Sequence, residues 1–365
     1  MGQRSSLENM VAFGGAYRGH RVLLTGHTGF KGSWLALWLK ELGAEITGVA
    51  LPPSSSPNHW DLLSLKIDEY RLDIRDSEAL ASIVQKTRPE IVFHLAAQSL
   101  VRPSYRQPLD TWSTNVMGTV NLLEACRQTD DVKAVVVVTS DKCYENKESA
   151  AAYKETDRLG GHDPYSASKA AAELAASSYR DAFFQGANAP LVATARAGNV
   201  IGGGDWSEDR LIPDIVRAYE AKTALAVRNP NATRPWQHVL ESLNGYLLLG
   251  QKLLAGESKY ARAWNFGPHR GENVSVEAVL NIFQTYWPDF TWHVKPELHL
   301  HEAQQLALDA SQAQELLGWK PVWNLKQALA ATAEWHAAYR KNKNVESKAQ
   351  LLSFMTEAAR LRNAA

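Results

Sequence analysis

The chain has little cysteine, no surplus charge of either sign and no long hydrophobic run. Its 365 residues include two cysteines, Cys126 and Cys143. They lack metal-type spacing, and both are expected to be reduced thiols in a cytoplasmic protein. Cys143 follows Lys142 directly and reads as a small residue beside a site rather than a reactive thiol. Lys plus Arg and Asp plus Glu number 39 each, so the formal net charge is zero. That balance argues against a nucleic-acid partner, which selects for excess Lys and Arg. No segment reaches the roughly 18 apolar residues of a membrane span, and no membrane partner is expected. Residues 1–20 lack the apolar core of a signal peptide and read as a leader. There is no internal repeat, and biased composition is confined to the Pro/Ser loop 52–57. The length suits one large α/β domain or two smaller ones.

Against these absences stands a regular alternation of strand and helix. Arg21–Thr25 is an apolar strand, and Ser33–Leu42 reads as a helix closed by Gly43. Between them lie Gly26, Gly29 and Gly32, spaced by three. Glycines between a strand and a helix are the context of a dinucleotide fingerprint, because they permit a tight turn and let backbone N–H groups reach a pyrophosphate. The second strand, Glu45–Leu51, lacks the terminal acid that would meet the ribose of NAD. It also lacks the basic residues of an NADP site, so neither cofactor is specified there. Lys31 is a candidate for a ribose phosphate, with a solvated lysine as the alternative. A third strand, Tyr70–Leu72, ends at Asp73-Ile74-Arg75-Asp76, with Asp73 placed to meet adenine and Asp76 as N-cap of helix 77–87. A fourth strand, Ile91–Leu95, ends in Leu95-Ala96-Ala97-Gln98, small enough to pass under a cofactor. Helix 110–128 carries Asn115, Gly118 and Thr119.

The fifth strand is the run Val135–Val138, apolar enough to be buried on both faces. It ends in Thr139-Ser140-Asp141-Lys142. Ligands of open α/β sheets sit outside the carboxyl ends of the strands, so these polar groups are candidates for chemistry. Helix 164–182 starts at Pro164 and carries Tyr165 and Lys169 four apart, on one face. Alone, such a pair is also what a solvated surface presents. Beside a ligand, the ammonium is expected to lower a phenol pKa that is otherwise about 10, and a tyrosine so tuned can take a proton while hydride leaves carbon. The same helix has an alanine-rich face, which would pack either on the protein's own sheet or on a second subunit.

Leu191–Arg196 is the sixth strand, after which the alternation weakens. We expect a Rossmann-type doubly wound parallel sheet over 21–198 and a smaller mixed α/β substrate domain over 199–343, interleaved with the end of the sheet. Residues 344–365 are expected as a packing helix, with Leu351, Leu352 and Met355 at helical spacing. Arg217, Arg234 and Arg270 are candidates to meet a diphosphate, for which Arg is the favoured side chain.

These marks together resemble the extended short-chain dehydrogenase/reductase superfamily: Thr25-Gly26-x-x-Gly29-x-x-Gly32, Asp73-Ile74-Arg75, His94-Leu95-Ala96-Ala97, Asn115-x-x-Gly118-Thr119, Tyr165-x-x-x-Lys169, Arg196-x-x-Asn199-Val200 and Leu317-Gly318-Trp319-x-Pro321. They run from residue 21 to about 321. Within the superfamily the chain is most similar to the nucleotide-sugar 4,6-dehydratases, and Lys142 where other members carry Glu is the pattern of the CDP-glucose subgroup. The resemblance implies bound NAD, a CDP-glucose substrate and a homodimer formed through helices 110–128 and 164–182. It also implies a part in making deoxysugars, as for a lipopolysaccharide O-antigen. It assigns the cofactor to Gly26, Thr28, Gly29, Phe30, Lys31, Gly32, Asp73, Ile74, Leu95, Ala96, Ala97, Asn115, Thr139, Tyr165 and Lys169. The sugar nucleotide falls to Gln98, Asn199, Arg217, Arg234 and Arg270. Ser140, Asp141, Lys142, Tyr165 and Lys169 are the implied catalytic set, and no metal is implied. The alternatives are a 4-epimerase, which needs no Asp141–Lys142 pair, a dehydratase of another nucleotide glucose, and a non-catalytic dinucleotide sensor.

Overall fold

In the computed structural model, residues 12–148, 151–269, 271–295 and 305–363 are described. Seven strands form the central sheet: β1 (Arg21–Thr25), β2 (Glu45–Ala50), β3 (Asp68–Arg71), β4 (Ile91–His94), β5 (Ala134–Val138), β6 (Leu191–Ala197) and β7 (Ala263–Phe266). Their spatial order is β7-β6-β5-β4-β1-β2-β3, and every neighbouring pair is parallel. The order reverses between β1 and β4, which makes the crevice above their carboxyl ends the expected ligand site.

The valine run shows why this sequence makes a two-sided sheet. Side chains alternate across a strand, and all five residues of β5 are buried. Val135 and Val137 join a core with Leu80, Val84 and Leu122 from helices Ser77–Thr87 and Gly118–Arg127. Val136 and Val138 face the opposite core, with Leu35 and Leu247 from helices Phe30–Glu41 and Val239–Leu254. A third core, built on Ile215, Val216, Phe283 and Leu329, serves the chain beyond residue 199. That part of the chain returns to the sheet to supply β7.

The expected helix 110–128 is interrupted. Pro108–Trp112 and Gly118–Arg127 are α-helical, and Ser113–Met117 between them is a π turn. Such turns mark places where a helix re-aims a side chain, and here the turn carries Asn115. The stretch 12–20, expected to be part of a leader, is packed into the fold. Phe13 and Tyr17 are buried, and the Tyr17 hydroxyl donates to the Leu247 carbonyl at 2.5 Å. The C-terminal helix, Ser347–Asn363, packs as expected, with Phe354 edge-on to Trp38 at 5.7 Å. Of the alanine face, Ala170, Ala172 and Ala176 are buried within the chain itself.

Candidate active site

The loop after β1 is shaped by three backbone approaches. Gly26 has φ +77, and a Cβ there would lie 2.6 Å from the Ala96 nitrogen. A Cβ on Gly32 would lie 2.0 Å from the Gly26 carbonyl oxygen. Thr25 holds the neighbouring strand end close, its Oγ1 accepting from the N–H groups of Leu95 and Ala96 at 3.2 Å each. Gly29 is the N-cap of helix Phe30–Glu41 and provides no side-chain cap. The first N–H groups of that 12-residue helix therefore face the crevice, a ready site for a diphosphate. Thr28 ties the loop to the end of β2 by donating to the Leu51 carbonyl at 2.8 Å. These residues fit a dinucleotide, and a side chain at Gly26 or Gly32 would fill the cradle.

One continuous cavity of about 1710 Å³ runs from this cradle across the ends of β5 and β6. Gly26, Thr28, Gly29, Phe30, Lys31 and Gly32 line it, as do Asp73, Ile74 and Leu95–Ala97. Asp73 is gripped by Arg75 at 2.7 Å, and that bond holds its carboxyl below the ordinary range.

At the end of β5 the chain makes a 3₁₀ turn, Asp141–Cys143, with Ser140 as its N-cap. The Ser140 hydroxyl donates to Asp141 Oδ1 at 3.0 Å and accepts from the Lys142 N–H at 3.2 Å. Asp141 is 2 % exposed, and among the described residues its Oδ2 has no hydrogen-bond partner. Burial pushes its pKa up, against the pull of Lys142, Ser140, Arg234 and Lys31. The Lys142 ammonium lies 5.9 Å from the centre of the Tyr165 ring. Thr139 through Lys142, Tyr165 and Lys169 all line the cavity.

The electrostatics of the Tyr–Lys pair differ from the expectation. Burial pushes Tyr165 up to about 12, opposed first by a hydrogen bond with Ser140. The Lys169 ammonium donates to the Val138 carbonyl at 3.3 Å, and burial brings its pKa down to about 8. Cys143 is fully buried, its thiol pushed up by burial, which fits the reading as a small residue beside the site.

Lys31 also departs from its expected role. Its ammonium turns inward, 3.4 Å from the Tyr246 hydroxyl. Burial, together with the positive charge of Arg210 and Lys169, lowers its pKa to about 7, against the pull of Asp141. It stands at the reacting end rather than at a ribose phosphate.

Gln98 and Asn115 stand behind the cavity wall. The Gln98 side chain bonds Thr111 at 2.9 Å and the Leu100 backbone at 2.6 and 3.0 Å. Asn115 exchanges hydrogen bonds with the Gln98 backbone at 2.8 and 3.0 Å and donates to Ser168 Oγ at 2.9 Å. Both therefore brace the strand end instead of meeting a ligand.

Asn199, Arg217 and Arg234 line the cavity, but Arg217 is tied to its own segment. It donates to the Trp206 and Ser207 carbonyls at 3.1 and 3.0 Å and pairs with Asp214 at 2.5 Å. Arg270 lies outside the described residues. Lining cations that escaped the sequence reading include Arg102 and Arg228, which flank Asp209 at 3.4 and 3.6 Å, and Arg210, paired with Asp205 at 3.2 Å. Their only signal was residue type, shared with many surface arginines.

A doubly wound parallel sheet, a glycine cradle and a buried Tyr–Lys pair beside it define an enzyme of the short-chain dehydrogenase/reductase class. Residues 23–332 match the family described as GDP-mannose 4,6 dehydratase. A CDP-glucose 4,6-dehydratase of Salmonella typhimurium is 47% identical over 353 residues, 94% of this chain and 98% of that one. Among solved structures, the epimerase Mth375 from Methanothermobacter thermautotrophicus superposes with a TM-score of 0.80 at 24% identity, over 91% of this chain and 96% of that one. MoeE5, solved with UDP-glucose and NAD, superposes with a TM-score of 0.73 at 26% identity, over 88% of this chain and all of that one (100%). The chain belongs to the GDP-mannose 4,6 dehydratase family.

Proposed function

We propose that this enzyme is a CDP-glucose 4,6-dehydratase, a hydro-lyase that converts CDP-glucose into CDP-4-keto-6-deoxyglucose and water with NAD bound throughout. The observation that carries the reading is Asp141. It is a buried carboxyl with one unpartnered oxygen and a raised pKa, beside Ser140 and Tyr165. A buried acid with a raised pKa has no task in epimerisation, but elimination of a hydroxyl requires a proton donor.

When bound, NAD would supply the acceptor for hydride from C4 of the glucosyl ring and the donor of hydride to C6. Tyr165 takes the proton of the C4 hydroxyl, and Ser140 orients that oxygen. Lys169 carries a positive charge at the cofactor ribose. The new ketone acidifies C5, whose proton passes to the Lys142 amine once that amine has given up its own proton, while Asp141 protonates the departing C6 hydroxyl. C6 then gains hydride and C5 a proton. The substrate loses one water, and the cofactor ends as it began. Arg234, buried beside Asp141, is suited to the diphosphate, with Asn199 nearby on the cavity wall.

The assembly we infer is a homodimer through the helices at 108–127 and 164–182. Leu109, Met117, Leu174 and Phe183 are more than half exposed there, at 83, 51, 60 and 53 %, and apolar side chains so exposed favour a second subunit. Leu174→Asp should yield a monomer by equilibrium sedimentation, and an unchanged dimer would exclude this face. A cytoplasmic setting fits two buried free cysteines, and no described helix is long and apolar enough to cross a membrane.

The deciding experiment incubates the enzyme with NAD and CDP-glucose in heavy water and follows product by mass and NMR. Loss of one water with deuterium at C5 is expected. Formation of CDP-galactose without water loss would make the enzyme an epimerase. Conversion of UDP- or dTDP-glucose alone would keep the chemistry and change the nucleotide.

A further inference from the structure

Behind the catalytic groups lies a buried ion pair that touches neither cavity nor solvent. Glu173 and Arg196 meet at 2.7 Å, with side chains 3 and 4 % exposed. Glu173 sits four residues after Lys169 and eight after Tyr165, so all three share one face of helix Pro164–Ala182. Arg196 rises from β6. Burial alone would raise the Glu173 pKa, but Arg196 and two hydroxyls hold it below the ordinary range, so it stays a carboxylate.

The two ends of the catalytic turn are fastened to this one pair. Thr139, immediately before Ser140, donates its hydroxyl to Glu173. Tyr144, two residues after Lys142, accepts from Arg196 Nη1 at 2.8 Å, and its ring centre lies 5.0 Å from the guanidinium carbon. The Tyr144 hydroxyl donates onward to Asn265 Oδ1 at 2.7 Å on β7. Ser140, Asp141 and Lys142 are thus strung between two straps, while the anchor itself belongs to the helix that carries Tyr165 and Lys169. A buried ion pair adds little net stability over a packed apolar pair of similar volume. What it supplies here is direction, since Glu173 fixes one end of a short loop to a rigid helix and Arg196 fixes the other to β6.

Resting on the dehydratase reading above, we propose that Glu173 and Arg196 form a positioning unit that couples elimination to oxidation, by holding the Ser140–Lys142 turn in register with the Tyr165–Lys169 helix. Ser140, which orients the C4 oxygen, moves with the turn, but the oxidising pair Tyr165 and Lys169 ride on the helix and keep their geometry when a strap is cut. The acid and base ride on the turn and do not. Displacement of a reacting group by about an ångström costs on the order of a hundredfold in rate.

The test measures two rates in each protein with CDP-glucose: appearance of reduced nicotinamide absorbance, and loss of water with exchange at C5. Thr139→Val and Tyr144→Phe each cut one strap without removing a charge. In Tyr144→Phe, water loss and exchange should fall roughly tenfold or more while reduction stays within about threefold, so reduced cofactor accumulates. Thr139 also belongs to the implied cofactor set, so Thr139→Val is judged by the ratio of the two rates alone, which should fall by the same factor. Thr139→Ser should restore coupling. Thr194→Val is the control: it deletes a 2.7 Å hydrogen bond to the same Glu173 carboxylate but touches neither strap, and any slowing should affect both rates alike. If the two strap variants slow both rates by one factor, or if Thr194→Val uncouples as strongly as they do, the proposal falls. Should Thr139→Val fail to fold, Tyr144→Phe decides alone. Water loss by the unaltered enzyme tests the dehydratase reading separately, because the proposal concerns only the ratio of the two rates in the variants.

Discussion

The two halves of the proposed catalytic set are built differently. Tyr165 and Lys169 are part of a 19-residue helix with an Asp163 N-cap and Pro164 in its first turn. Their spacing is set by helical geometry alone. Ser140, Asp141 and Lys142 lie on a three-residue turn whose shape depends on contacts from β6, β7 and the Tyr–Lys helix. The difference teaches which half of the chemistry is robust. Proton abstraction for hydride transfer needs a preformed pair, and a helix provides it. Elimination needs an acid and a base held together against one C–C bond of a sugar, and tertiary contacts must hold the turn that carries them.

Experiments can break or sharpen this contrast. The largest effect is expected for Tyr165→Phe, which removes the proton acceptor at C4. Both reduction of NAD and water loss should fall by about a thousandfold or more, measured by absorbance and product mass. Retained reduction would mean another base serves C4. Next, Asp141→Asn should leave reduction of NAD nearly intact and slow water loss by about a hundredfold. Unchanged turnover would remove Asp141 from the acid role. Lys142→Met should abolish deuterium exchange at C5 in heavy water, and persistent exchange would point to a different base.

The halves should also answer pH in opposite directions. Tyr165 must lose a proton to act, so C4 oxidation should accelerate as pH rises toward its elevated pKa. Asp141 must hold a proton, so elimination should slow as pH rises through its own raised pKa. The ratio of water loss to cofactor reduction should therefore fall with rising pH, and a constant ratio would deny Asp141 its role.

Stability gives a smaller signal. Burial lowers His59, His94 and His238 to about 3 and His336 to about 4. Below about pH 6.5 the unfolded chain binds protons that these folded histidines refuse, so stability should fall as pH drops from there toward 4. The slope is on the order of 1.4 kcal/mol per pH unit for each histidine. A Tm that is flat across this window would mean the rings are already charged in the folded state. Smallest of all, Arg217→Ala should change the KM for CDP-glucose by less than about threefold, because its donors are engaged by its own segment. Arg234→Ala should raise KM by about tenfold or more, as loss of a charge-assisted phosphate contact does.

The same contrast separates what was legible in the residues from what was not. The sheet could be read because a strand buried on both faces leaves an unbroken apolar run, as in Val135–Val138. The glycine cradle could be read because only glycine fits where Gly26 and Gly32 meet backbone. Lys31 could not, since its sequence neighbours suggest a phosphate while its side chain turns toward Tyr246, 215 residues away in the chain. Gln98 was misread for the same reason: its partner Thr111 belongs to another segment. The arginines at 102, 210 and 228 carried no pattern at all.

The sequence by itself determined the order of strands and helices, the cradle, and the helical register of Tyr165 with Lys169, because each depends on residues close together in the chain. Only the tertiary structure decided the protonation of Asp141, the inward turn of Lys31 and the anchoring of Ser140–Lys142 by Glu173 and Arg196. Burial and ion pairing are properties of distant segments brought together, and no local pattern records which ones meet.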